Sequence, residues 1–195
     1  RYLIHGTGLI AEFHARAIRE AEGSELAGFA GRNGARLAEL ETKFGCPVWE
    51  SYETALRESR AGAVSVATPS GLHLESVEAA AAAGKHVLCE KPLEVTTERI
   101  DRMIAVCAKA GVKLGCIFQL RQIPALAPIR EALKAGRFGK VTFAGVFVPW
   151  WREQAYYDAS SWHGRWSLDG GGALMNQSVH MVDLLCELFD VPDTV

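Results

Sequence analysis

Two short stretches carry side chains able to move a proton. In GKHVLCEKPLE, residues 84–94, an apolar run ends abruptly in Glu90-Lys91-Pro92, placing an ammonium where a strand would leave a sheet. The proline restricts Lys91 to extended backbone, so its amine has a fixed origin. Such a lysine, partly desolvated, could donate a proton to a hydroxyl oxygen or, with a lowered pKa, accept one. In GGGALMNQSVHMVDLL, residues 170–185, Asn176 and His180 are spaced i, i+4 and Asp183 lies three further, so on a helix they share a face. Histidine suits proton transfer at neutral pH, and Asp183 could orient its ring or could equally be a packing or capping residue. Three preceding glycines let the backbone come close to something bulky. Each stretch has a bland alternative: a lysine at a surface turn and a satisfied core histidine.

A third constellation binds rather than reacts. Residues 6–11, GTGLIA, follow an apolar strand and open a helical pattern. In this G-x-G-x-x-A arrangement Gly6 permits the tight turn, Gly8 lets N–H groups approach a pyrophosphate, and Ala11 allows close helix–strand packing. Gly6, Thr7, Gly8, Leu9 and Ile10 are therefore candidate dinucleotide-binding residues. The second strand, LAGFAGRN, ends without the carboxylate that usually accepts from an NAD ribose. Arg32 stands where a 2'-phosphate needs a guanidinium, with Arg36 one turn along the next helix, so NADP is favoured over NAD; Asn33 could still bond an unphosphorylated ribose. His5, His14, His73, His86 and His163 have no metal-ligand spacing, and no metal is expected.

The elements that must position these groups alternate. Strand candidates are Tyr2–His5, Leu26–Ala30, Val48–Trp49, Val64–Ala67, His86–Cys89 and Lys113–Ile117, with helical patterns near 9–22, 33–44, 52–60, 72–83 and 97–110. This order predicts βαβ units and a parallel sheet covered on both faces. Gly23, Gly45, Gly84 and Gly111 sit where C-terminal glycines belong, while Ser51 and Thr96 or Thr97 offer N-caps. Beyond residue 118 the spacing predicts a helix over 124–135, a longer strand over Lys140–Trp150 of the kind found in open antiparallel sheets, and a helix from about Ala173 to Phe189. Between the last two lies an aromatic, charged loop of 23 residues, WWREQAYYDASSWHGRWSLDGGG, more than a connection needs.

The totals fit a protein with a buried core. Of 195 residues 21 are basic and 23 acidic, a net charge of -2, which argues against nucleic-acid partners and a polybasic membrane anchor. Apolar residues make up 49%, and no run reaches the roughly 18 apolar residues of a membrane helix. A soluble, cytoplasmic protein is expected. Five cysteines without a C-x-x-C pair read as reduced thiols. The chain opens on a strand without methionine and stops at FDVPDTV, which suggests a fragment.

Taken together, GTGLIAEFHARAI, TPSGLHLESVEAAAAAGKHVLCEKPL and GGGALMNQSVHMVDLL resemble the Gfo/Idh/MocA family of NAD(P)-dependent oxidoreductases, almost from end to end. The resemblance implies an α/β fold with an N-terminal Rossmann domain, a doubly wound parallel sheet, over residues 1–120. Residues 121–195 would begin a C-terminal α/β domain whose open, mainly antiparallel sheet is truncated here and in full members often makes homo-oligomer contacts, in a dimer or tetramer. It implies Lys91 and His180 as catalytic residues and adds Thr68, Pro69, His73, Glu90 and Lys91 to the cofactor site. Gln119, Arg121, Arg165 and Asn176 become substrate-binding candidates. Many members carry aspartate where this chain has Asn176, and an amide can orient a substrate but cannot exchange a proton as a carboxylate does. YYDASSWHGRW followed by ALMNQ looks like the subgroup of UDP-N-acetyl-2-amino-2-deoxyglucuronate dehydrogenases. There Arg121, Arg152 or Arg165 could pair with a sugar carboxylate and Tyr156, Tyr157 and Trp162 could stack on a pyranose, although such a loop can also bury itself as a local core or subunit contact. The implied activity is hydride transfer between a secondary alcohol of a sugar, sugar nucleotide or cyclitol and a nicotinamide. Its rivals are a redox-neutral, NAD-cycling glycoside cleavage and a non-catalytic dinucleotide sensor.

Overall fold

Short apolar runs form the strands of the computed structural model, which describes residues 1–192; the run Leu26–Ala30 is buried along its whole length, and the run His86–Cys89 alternates exposed and buried. Six of them pair in parallel: β1 (Tyr2–His5), β2 (Leu26–Ala30), β3 (Val48–Trp49), β4 (Ala63–Val66), β5 (His86–Cys89) and β6 (Leu114–Cys116), in the order β3-β2-β1-β4-β5-β6. Alternate residues serve opposite layers. Leu3 joins a core with Val64, Val66, Val77, Val87 and Met103, whereas Ile4 joins Ala11, Ala15, Phe29, Leu37 and Leu40. The order reverses between β1 and β4, and a ligand crevice opens beyond the strand ends at such a switch point.

Register sets the row on which the site is built. His5 pairs with Ala30 and Val66, Val66 with Cys89, and Cys89 with Cys116, so β1, β4 and β5 end level. Residues 6–8, 67–69 and 90–92 therefore leave the sheet side by side.

Helices α1 (Leu9–Glu20), α2 (Gly34–Phe44), α3 (Tyr52–Glu58), α4 (His73–Ala82) and α5 (Thr97–Ala110) cover the sheet. Their ends follow the local chemistry. Asn33, Ser51 and Thr96 accept from the N–H of Arg36, Thr54 and Arg99, and Gly45 and Gly111 close α2 and α5 with φ of 56° and 67°. These match the expected caps within the boundaries given above.

Beyond β6 come α6 (Leu126–Lys134), α7 (Gln154–Asp158), α8 (Trp166–Asp169), a π turn (Leu174–Ser178) and α9 (Val179–Phe189). Two ion pairs bind α9 back: Arg121 to Asp183 and Arg130 to Glu187. The strand expected over Lys140–Trp150 is not formed, and no antiparallel sheet occurs among the described residues. That stretch makes one local backbone bond, Trp150 N–H to Val148 O, and leaves Phe143 85% and Phe147 90% exposed. A strand persists where a neighbour takes its N–H and C=O groups, and no described segment lies alongside to do so. The long loop holds α7 and α8, and its Tyr156, Trp162 and His163 rings pack on one another.

Candidate active site

The glycine turn is built from close backbone contacts. Gly6 has φ of 135°, and a Cβ there would lie 2.3 Å from the Ala67 carbonyl oxygen, so only glycine fits between β1 and β4. Gly8 caps α1 without a side chain, and a Cβ on it would meet nothing within 4 Å. The protein's own packing thus does not demand Gly8; it leaves open space at a helix N-terminus, the place for a pyrophosphate. Thr7 crosses beneath Gly31 and its carbonyl accepts from Arg36 Nε at 3.1 Å, while Leu9 and Ile10 are exposed. Buried Thr68 Oγ1 has no partner, which suits a hydrogen bond to a bound group.

Of the two cations after β2, Arg36 is committed. It pairs with Glu39 and with the buried Glu12, which also holds Lys43. Hydrogen bonds from Lys43 and Arg36 hold the Glu12 carboxyl below the usual carboxylate range. Arg32 is exposed and makes no ion pair among the described residues.

His73 is held by backbone carbonyls on both sides. It is 1% exposed, with Nε2 at 2.9 Å from the Thr68 carbonyl and Nδ1 at 3.1 Å from those of Pro92 and Leu93. Both ring nitrogens are occupied in tying the turn after β4 to the turn after β5. Pro69 opens the Ser70–Leu72 turn between them. Glu94, fully buried, accepts from Val95 N–H and Arg99, pinning the chain just beyond Lys91.

Lys91, joined to Pro92 by a cis peptide, sends Nζ to the Asn176 carbonyl at 3.0 Å. A π turn pairs i with i+5 and so disturbs the α-helical bonding of its carbonyls; Asn176 lies in that turn. Burial pulls the Lys91 ammonium below its ordinary value, against the opposing charges of Glu90 and Asp169. Glu90 is itself held. Its Oε1 lies 2.9 Å from His14 Nε2, and its Oε2 accepts from Lys91 N–H. An ionised carboxylate only accepts, so His14 Nε2 carries the donated proton and Nδ1 is left for the Ser65 hydroxyl, 2.7 Å away. Burial alone would raise the Glu90 carboxyl, but His14 and Lys91 more than offset it and keep it below the usual range.

His180, 7% exposed, stands edge-on to Phe118 with ring centroids 6.1 Å apart. Burial and then the Lys91 charge push its pKa down, which places imidazole and ammonium in one electrostatic neighbourhood. Its Nδ1 is buried without a partner, so Asp183 does not orient the ring. Asp183 instead grips Arg121 bidentately, at 2.7 and 2.5 Å, through Nε and one terminal nitrogen of a guanidinium that stays partly exposed. Gln119 is exposed in the short turn Gln119–Gln122, which packs on α9. Arg152 donates to Gln177 and lies over Tyr156. Arg165 is exposed at the start of α8, beside a depression lined by Tyr157, Ser160 and His163.

Asp169, His14 and Ser65 were not singled out by sequence as site residues. Asp169 is 1% exposed; its Oδ2 accepts from Gly164 N–H and its Oδ1 from Asn176 Nδ2, both at 2.8 Å. A signal for His14 existed: it shares with Ala11, Ala15 and Ile18 the stripe that α1 turns to the sheet, so an imidazole there needs polar partners inside.

A parallel sheet in this order, with a glycine turn at its switch point, defines a Rossmann dinucleotide-binding protein. The model of an oxidoreductase family with an NAD-binding Rossmann fold matches residues 1–118, and that of the GFO/IDH/MocA C-terminal domain matches 126–195. The chain belongs to the GFO/IDH/MocA oxidoreductase family. It is 35% identical over 188 residues to 1,5-anhydro-D-fructose reductase of Ensifer adhaerens, covering 94% of this chain and 54% of that protein. Levoglucosan dehydrogenase of Pseudarthrobacter phenanthrenivorans is 34% identical over 122 residues, covering 62% of this chain and 31% of that one. The WlbA dehydrogenase of Bordetella pertussis, solved with NADH and UDP-GlcNAcA, superposes with a TM-score of 0.93 at 38% identity, over 97% of this chain and 55% of that one. The chain thus spans about half the length of such relatives. No described helix is long and apolar enough to cross a membrane.

Proposed function

We propose that the protein of which this chain forms the dinucleotide-binding part is a dehydrogenase acting on a secondary alcohol of a sugar, sugar nucleotide or cyclitol. The hydrogen bond from Lys91 Nζ, just beyond β5, to the carbonyl of Asn176, one turn before His180, carries this reading. When bound, the nicotinamide supplies a hydride acceptor at C4. This chain's residues do the rest: neutral Lys91 or His180 takes the hydroxyl proton as the C–H pair departs as hydride, leaving a ketone, and Asn176, Gln119 and Arg165 hold the sugar. Gly6 to Ile10, Thr68, Pro69 and Glu90 border the cofactor. Arg32, exposed and unpaired at the end of β2, favours NADP over NAD. Division near residue 120 separates the cofactor unit from the start of a substrate domain, in a cytoplasmic homo-oligomer.

The test uses the full-length protein with UDP-GlcNAcA, the ligand of the WlbA neighbour, assayed first, followed by simpler sugars. Lys91→Met should lower turnover by roughly 10²–10⁴-fold, the contribution of proton transfer by a positioned group, with dinucleotide affinity within about threefold of wild type. Retained turnover removes Lys91 from its role. Turnover without net consumption of free dinucleotide identifies a redox-neutral cycle instead, and kcat/KM with each dinucleotide decides between NADP and NAD.

A further inference from the structure

A buried carboxylate without an ion pair is costly, because its charge leaves water and must be met by fixed donors. Asp169 is such a group. It is 1% exposed and in no salt bridge among the described residues, and its two oxygens are satisfied by one backbone N–H and one side-chain amide. It closes α8, immediately before the three glycines that lead into the π turn.

Three consequences follow from that placement. A carboxylate accepts only, so it fixes the Asn176 amide with Nδ2 inward, and Oδ1, across the amide plane, is left as the acceptor. The same bond ties the end of α8 to the π turn whose Asn176 carbonyl takes the Lys91 ammonium. Asp169 also belongs, after Glu90, to the carboxylates whose charge opposes the effect of burial on Lys91. One side chain therefore reaches both groups that face the substrate in the reading given above.

We propose that Asp169 is a positioning residue of this site: it orients Asn176 to accept from a substrate hydroxyl and holds Lys91 in its working place and charge. Asn176 then selects a neutral donor, a sugar O–H, at its Oδ1, and discriminates against a carboxylate or carbonyl at the same point. The proposal rests on the dehydrogenase reading for its kinetic consequence alone; the effect on Lys91 stands without it.

The experiment compares wild type, Asp169→Asn and the swap Asp169→Asn/Asn176→Asp in the full-length protein. Lys91 reactivity is measured by acetic anhydride labelling across pH with mass spectrometry, dinucleotide affinity by NADPH and NADH titration, and kinetics with UDP-GlcNAcA. Removing the buried charge should move the Lys91 labelling midpoint down by roughly 0.5–1 pH unit, and should raise KM about tenfold while NADPH or NADH affinity stays within about threefold. The swap restores an amide–carboxylate bond at the same place and should bring the labelling midpoint and KM back toward wild type; it also serves should Asp169→Asn fail to fold. An unchanged midpoint in Asp169→Asn, or a swap no better than the single variant, overturns the proposal. If wild type turns over no sugar, the dehydrogenase reading falls and the labelling arm still decides the role of Asp169.

Discussion

Lys91 needs its charge controlled as much as its position. Burial favours the free amine and dominates, and the carboxylate next to it in the chain, Glu90, is the strongest of the groups that oppose it. Glu90 also raises His180 against burial and the Lys91 charge. It can do both because Ser65 and His14 hold it ionised and still. Glu90→Gln preserves an oxygen to accept from His14 or Lys91 N–H while removing the charge. The pH–rate profile of the full-length protein should then shift to lower pH, by about one unit on the limb belonging to Lys91. A profile unmoved along the pH axis would show that Glu90 does not govern the pair. At this scale the sequence exposed what local order creates: E-K-P ends a strand, and Asn176 and His180 follow helical spacing. Glu90 was placed beside the cofactor, but not its link to His14, because Ser65, His14 and Glu90 lie on three different elements. Asp183 shares the helix face with His180 yet pairs with Arg121, since a bidentate guanidinium is the better partner for a carboxylate.

Elements were legible where two independent signals agreed. In the first 117 residues apolar runs alternate with amphipathic stretches, and caps mark the joints, so strands and helices stand within a few residues of their expected places. Lys140–Trp150 had the alternation of a strand without a partner, and pattern alone does not make a sheet. The π turn has no sequence signature of its own; it becomes visible once Asn176 is found bonded to both Asp169 and Lys91. The contact that seats α8 is equally hidden. Gly71 lies in the Ser70–Leu72 turn, and a Cβ on it would come within 2.0 Å of the Ser167 carbonyl oxygen and 3.0 Å of Leu168 Cα. Backbone cannot yield as a flexible side chain does, so Gly71→Ala must push α8, and Asp169 with it, off the turn. Overpacking of this kind costs about 1–3 kcal/mol. Turnover should fall about tenfold or more while dinucleotide affinity stays within about threefold, as read by steady-state kinetics and NADPH titration. Equal loss of both would mean that the turn serves the cofactor and α8 alike.

Across the whole molecule, stability is coupled to pH through a histidine that does no chemistry in this scheme. His5 ends β1, stacks on Tyr52 with centroids 3.6 Å apart and planes 10° apart, and keeps a buried Nδ1 without a partner. Burial lowers its pKa from 6.5 to about 4. Between those values the unfolded chain binds a proton at this site that the folded chain refuses, so unfolding free energy rises with pH across the window. The contribution is fully present above 6.5, declines as pH falls, and is gone below about 4. Its size is on the order of 3 kcal/mol, a large share of the roughly 5–15 kcal/mol that a domain has in hand. Glu90, held ionised in the fold, loses stability in acid as well, so acid sensitivity of wild type alone identifies neither group. His5→Phe separates them: the ring against Tyr52 is kept, the titration at residue 5 is removed, and Glu90 is untouched. Urea unfolding of both full-length proteins at pH 7 and pH 4 should show wild type losing about 3 kcal/mol more than the variant over that interval. Equal losses would mean that His5 accepts its proton as readily in the folded protein as in the unfolded chain, and that the acid limit of the fold lies with its carboxylates.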